Sequence, residues 1–239
     1  MNKNKTLDIP EDLNRRLHLF GFDMVFSNIQ MDVDELEMYF KTLEKMISQE
    51  EEREINQINS RSKGEIDWSE EYPYWWKDIF ATQLRFSFVI WAIAVLEHNL
   101  KSTCEYLSNV FDREWEDPKY EIIKSSKKFL SKVGVAKGID KSVWGNIEGQ
   151  IKIRNHLVHK GIYLLDYPDT DKSSEAKRAR TLEQIIRKQN GIEIKSITLQ
   201  ISQEFCQDII FTMRGLFKSL EAEIRTLQEQ LNARQNNSL

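Results

Sequence analysis

The residues best able to do chemistry in this chain sit together in one hexapeptide, Arg154-Asn155-His156-Leu157-Val158-His159. Histidine is the side chain suited to moving a proton near neutral pH. Arginine keeps its charge and holds a phosphate oxygen in a planar fork. Lys152 and Lys160 flank the pair with further positive charge. This set of residue types suits proton transfer next to a phosphate. His156 and His159 are three apart and could share a metal ion, but no Cys or third nearby His completes a ligand set, so no metal site and no cofactor is expected.

A helix must position these groups. The pattern predicts one from about Lys141 to Lys160, with Gly161 as its natural stop. Its apolar stripe reads Val143 or Trp144, Ile147, Ile151 and Val158, and helical spacing puts Arg154 on that stripe. A charge on a core-facing position needs a partner. Glu97 interrupts the apolar face Ile90, Ile93, Leu100 and Cys104 in the same way, so Arg154 and Glu97 are expected to approach within about 6 Å. Asn155 and His159, four apart, lie one above the other. Arg154 and His159, five apart, are turned well away from each other. Fraying at Gly161, or a second copy of the helix across a two-fold axis, would bring them to one point.

The remaining elements read as mostly helical. Val33, Leu36, Phe40, Leu43 and Ile47 predict a helix that begins near Asp32 or Asp34 and ends before the polar run Asn59 to Gly64. A long central helix is predicted from about Pro73 to Val110, and a third from Asp117-Pro118 to near Gly134. Ile162 to Leu165 and the near-alternating Ile192, Ile194, Ile197, Leu199 and Ile201 read as two short strands able to pair. Between them lies a polar insert, Asp166 to Asn190, made locally basic by Lys172, Lys177, Arg178, Arg180, Arg187 and Lys188. An insert of that length is functional or mobile, and its cations suit an RNA backbone or a solvated loop. The last helix, Ser202 to Arg234, carries a seam of Ile209, Met213, Leu216, Leu220, Ile224, Leu227 and Leu231. That seam either packs on the first helix within one chain or serves dimerisation. The aromatic cluster Trp68, Tyr72, Tyr74, Trp75 and Trp76 reads as core or interface before base stacking.

Composition narrows the function classes. The 239 residues are 40% hydrophobic and 30% charged, with nine Gly and four Pro. That balance suits long helices and disfavours a turn-rich barrel. A net charge of −4 leaves room only for local nucleic-acid contacts. Two isolated cysteines, Cys104 and Cys206, form no disulfide framework and suit a reducing compartment. No apolar leader follows Met1, and Phe86 to Leu96 is too short for a bilayer, so a cytoplasmic protein is expected.

Arg154, Asn155 and His159, an Arg-Asn-x-x-x-His string on the end of an amphipathic helix, resemble the Arg-to-His signature of the HEPN superfamily. The context of a long Glu-bearing helix, a further helix and then the motif helix ending in Lys160-Gly161 is similar too. The resemblance covers roughly Tyr72 to Gly161. It implies a mainly all-α fold, an antiparallel helical bundle with a small two-stranded β element before the last helix. The expected division is an N-terminal helical extension over 1–65 and a HEPN-like domain over 66–239. The implied activity is metal-independent endoribonuclease cleavage at a homodimer interface. His159 would work on the ribose 2′-OH or the leaving oxygen, Arg154 on the scissile phosphate, and Asn155 would orient His159 or touch the backbone. Glu97 and His156 would support the site, while Lys152, Lys160, Lys177, Arg178 and Arg180 would hold RNA. Many such proteins are toxins or antiviral effectors, often with an antitoxin or defence partner. The competing reading is a helical protein- or RNA-binding module in which Arg154 pairs with Glu97 and His159 merely caps a helix end favoured by the dipole.

Overall fold

A computed structural model describes residues 16, 21–61, 80–116, 118, 121–164, 167–168 and 170–236. The described residues form six helices and one two-stranded sheet: α1 (Phe22–Arg61), α2 (Ala81–Phe111), α3 (Ile122–Val133), α4 (Lys141–Lys160), α5 (Ser174–Ile186), β1 (Ile192–Lys195), β2 (Thr198–Ile201) and α6 (Gln203–Asn236). The fold is mainly α, with the small sheet placed just before the last helix as expected. The start of the second helix at Pro73, the start of the third at Asp117 and the aromatic cluster at 68–76 lie outside the described residues. No described helix is long and apolar enough to cross a membrane.

The chain divides into two compact units that interleave in sequence. The first holds 1–33, 94–144 and 212–239, and the second 34–93 and 145–211.

In the first unit, the early turns of α1 bury Phe22, Phe26, Ile29 and Val33. Helix α1 therefore starts about ten residues before the expected Asp32, because this four-and-three repeat continues the core stripe upstream and Gly21, at φ +72°, opens it. Phe22 packs against Phe26 and Tyr106, and the Arg225 guanidinium of α6 covers its ring at 4.7 Å. The same guanidinium reaches Asp23 at 2.9 Å. These contacts join α6 to α1 within one chain. Helix α3 ends as expected at Gly134, whose left-handed backbone returns its N–H to Leu130 O.

In the second unit, Leu36, Phe40, Leu43 and Ile47 of α1 and Phe88, Val89, Ala92 and Ile93 of α2 are buried. Arg85 of α2 ties these helices to the sheet. Its Nε and Nη2 donate to the two Glu44 oxygens, each at 2.7 Å, and its Nη1 donates to Ile201 O at 3.2 Å.

The sheet pairs different segments from those the sequence suggests. The run 192–201 folds back on itself, with Ile192 facing Ile201 and Ile194 facing Leu199. The segment 162–164 adds one antiparallel bridge, Tyr163 to Thr198. The turn is Ser196-Ile197, with Ser196 at φ +58°. It has no Asn or Gly to announce it, so the hairpin is disguised as one strand. The trace left in sequence is a slip in the alternation between Ile194 and Ile197.

The insert also differs from its expectation as a loop. Most of it is α5, with Ala176, Leu182 and Ile186 buried. Ser173 caps its start by accepting from Ala176 N at 3.1 Å. Three small or aliphatic residues among many charges hold it down, too few to announce a helix by periodicity alone.

Candidate functional site at the end of helix α4

Helix α4 has the expected bounds, but its buried face is rotated from the expected stripe. Trp144, Ile147, Gln150, Ile153 and Leu157 are buried, Ile151 is half-buried and Val158 is 48% exposed. The β-branched pair Ile151 and Val158 flanks the core face and pulls the apparent stripe towards itself. Gln150, polar yet buried, masks the true one. It is accommodated because its Nε2 donates to Asp208 Oδ2 at 3.0 Å. Burial pushes the Asp208 carboxyl above its ordinary pKa, partly offset by that hydrogen bond.

Arg154 stands half-buried at the edge of this face, with its Nε out of solvent, and the residue is engaged with a neighbour. Glu97 is half-buried on α2 and likewise engaged. Glu97 belongs to the first unit and Arg154 to the second.

The two histidines three residues apart have different surroundings. His156 is half-buried, and its Nε2 donates to Tyr163 O at 3.0 Å. Burial lowers its pKa below the ordinary imidazole value, the Tyr163 hydrogen bond raises it and the nearby Lys160 ammonium lowers it. His156 thus ties α4 to the segment that follows it. The ring of His159 is exposed, as are Asn155, Lys152 and Lys160.

The end of the helix is held. Gly161, at φ +69°, donates to Leu157 O at 3.0 Å. Beyond it Ile162 O accepts from Leu199 N, and Leu164 N donates to Ile197 O, both at 2.7 Å. Fraying at Gly161, one of the two routes expected to bring Arg154 and His159 to one point, would break this register. On a regular helix they stand about 140° apart around the axis.

The basic insert residues divide in two. Lys177 and Arg178 are exposed on α5. Arg180 is committed to structure, with Nη2 donating to Pro168 O at 2.8 Å and Asp171 O at 2.7 Å. These two bonds clamp the loop before α5. Among the described residues no group of three or more His, Cys, Asp or Glu is placed to hold a metal ion. A cleft of about 430 Å³ in the second unit is lined by Thr82, Arg85, Gly191, Glu193, Gln200 and Ser202 among others, and by none of the motif residues. Sequence reasoning missed this cleft. Its signal was Gly191, a φ +72° position where a Cβ would collide with the Phe205 backbone nitrogen and the Ser202 hydroxyl.

No family model matches the chain, nor does any curated protein or solved structure.

Proposed function

We propose that the chain is a HEPN-like, metal-independent endoribonuclease that works in the cytoplasm as a pair of copies. The observation that carries this reading is the contrast between the two histidines: His156 is spent on Tyr163 O, while His159 presents an open imidazole beside Asn155 and two lysines. A group that handles a substrate proton has to face solvent.

The chemistry follows from what each group can do. The His159 imidazole takes the proton from a ribose 2′-OH, whose oxygen attacks the adjacent phosphorus. The P–O5′ bond breaks, the departing oxygen takes a proton from water, and the imidazolium gives its proton back to solvent. The products are a 2′,3′-cyclic phosphate and a 5′-hydroxyl. Arg154 neutralises charge growing on the phosphoryl oxygens, and Asn155 orients His159 or the RNA backbone. Because Arg154 and His159 diverge on one helix whose end is held, the guanidinium that serves a given imidazole comes from the second copy. Exposed Val158, next to His159, and exposed Tyr163 give that copy an apolar seat. The role as a toxin or antiviral effector with a partner protein rests on the family resemblance.

The test is purified protein incubated with RNA in EDTA, with products resolved by end-group chemistry. Cleavage to cyclic-phosphate ends that disappears in His159→Ala and in Arg154→Ala, and returns when those two inactive variants are mixed, supports the reading. The mixture works only if one site draws on two chains. An intact RNA at every protein concentration, or equal cutting by His159→Ala, removes it.

The half-buried, engaged state of Arg154 favours a second reading, a binding module in which that residue is structural. Under it, Arg154→Ala lowers the melting temperature and His159→Ala changes nothing.

A further inference from the structure

The hairpin in the second unit leaves one edge of its sheet open, and two hydrogen bonds fix which backbone groups lie along it. Leu199 N donates to Ile162 O, and Ser202 N donates to Gly191 O. The first bond turns the N–H and C=O of Leu199 away from β1, so Leu199 and its partner Ile194 form a non-hydrogen-bonded pair. The second bond puts the pair Ile192 and Ile201 in the same phase. The N–H and C=O groups of Ile192 and Ile194 therefore point out from β1, away from β2. Among the described residues, none bonds to those groups. The far edge of β2 is occupied instead, by 162–164 and by the Arg85 guanidinium.

An open row of backbone donors and acceptors is completed by another extended strand. The side chains of β1 say which strand fits. Glu193 and Lys195 share the outer face of the sheet and are both exposed, whereas Ile194 lies on the inner face and is half-buried. Laid antiparallel on a copy of itself, with Ile194 opposite Ile194, β1 gains two N–H···O=C bonds between those residues. Glu193 then stands directly opposite Lys195 of the copy, on the same face, twice by symmetry. Those positions meet in the closer, non-hydrogen-bonded spacing, with Cα atoms about 4.5 Å apart, where opposite charges attract. Lys195 is already engaged within its own chain, and an ammonium has three N–H groups to share. The register centred on Glu193 would set two carboxylates face to face. At the axis of the favoured register the two Ile194 side chains meet, so the inner apolar layer continues from one copy into the other. One strand thus supplies both halves of an isologous contact.

We infer that β1 pairs with β1 of a second copy, antiparallel and centred on Ile194, joining two hairpins into one continuous sheet. The contact is separate from the α4 pairing proposed above and does not depend on it.

A strand of four residues makes a small contact, so cross-linking is the suitable measurement. Full-length Glu193→Cys and Lys195→Cys chains are purified separately and then mixed under mild oxidation. The native thiols, Cys104 and Cys206, are buried and stay out of the reaction. The mixture should give a disulfide-linked dimer, because the two positions face each other within disulfide reach. Neither variant alone should do so, since like positions lie on a diagonal about 7–8 Å long. Adding Ile194→Pro to both chains removes an outward N–H that the hairpin itself does not use. With the fold checked by circular dichroism, it should lower the dimer yield about tenfold. A mixture that gives no dimer overturns the proposal. So does equal cross-linking by Glu193→Cys alone, or a yield unaffected by Ile194→Pro. RNA cleavage is not read here, so failure of this contact and failure of the nuclease reading are told apart.

Discussion

At the start of α2, the charge of Arg85 is fully used. Its fork closes on both oxygens of Glu44, and both side chains are nearly buried, 15% and 13% exposed. Although burial alone would lower the Arg85 pKa, the hydrogen bonds and charge of Glu44 raise it above its ordinary value. At the end of α4, in the same unit, the charged and proton-bearing groups spread around the helix instead, and His159 is left facing solvent. A paired charge holds elements together and is unavailable to a substrate. An open group adds nothing to the core and is free to react. Perturbing each place should therefore move different observables.

The largest effect is expected at the open end. His159→Ala should lower RNA cleavage by about 10²- to 10⁴-fold, the usual worth of a positioned acid or base, with an unchanged melting curve. Loss of stability in this variant would place His159 with Arg85 as a structural group. At the closed place the reverse should hold. Arg85→Ala strands the Glu44 carboxylate and should cost about 3–5 kcal/mol in chemical denaturation. Arg85→Met with Glu44→Leu should recover most of that loss, because the ion pair holds the fold by complementarity more than by net energy. A single variant as stable as wild type would show that water reaches Glu44.

A smaller effect of opposite sign is expected beneath the motif. The Asp208 carboxyl has a raised folded pKa, so ionisation opposes folding as pH climbs past the ordinary carboxylate value. Asp208→Asn removes that cost. Its new amide can also donate to the buried Gln150 Oε1, which has no hydrogen-bond partner. The variant should be more stable at neutral pH by about 1 kcal/mol, raising the melting temperature by about 2–4 °C. The gain should vanish in acid, where wild-type Asp208 is protonated as well. A melting temperature unchanged at neutral pH would mean that Asp208 is solvated.

The smallest effect belongs to His156. Its folded pKa is lowered, so the unfolded chain binds a proton more readily. The stability this residue contributes is complete above the ordinary imidazole value and is lost as pH falls below it towards the folded value. His156→Gln keeps a donor for Tyr163 O and should flatten the decline in melting temperature between neutral pH and mild acid. An unchanged slope would assign the acid sensitivity to other groups.

Local rules were enough to read some parts of the chain. The limits of α4 follow from a good helix former run closed by Gly161, and the same logic places the end of α3 at Gly134. The motif itself is contiguous, so its residues could be named without a fold. The face α4 buries could not be read this way. Ile151 and Val158 outweigh Gln150 in any apolar count, and only Asp208, 58 positions away, makes Gln150 a core residue. The Arg85–Glu44 pair likewise joins positions 41 apart and looks in sequence like two ordinary surface charges.

What the amino-acid order settled by itself is the helical character of the protein, the span of the helix that bears the motif and the chemical types grouped on it. Those properties depend on backbone preference and on neighbours within a few turns. Which histidine is occupied, which arginines of the insert are committed, how 192–201 turns back and which apolar faces stay open were decided by tertiary structure. Each depends on a partner brought from far along the chain, and burial or hydrogen bonding by that partner decides whether a polar group holds the fold or is left for a substrate.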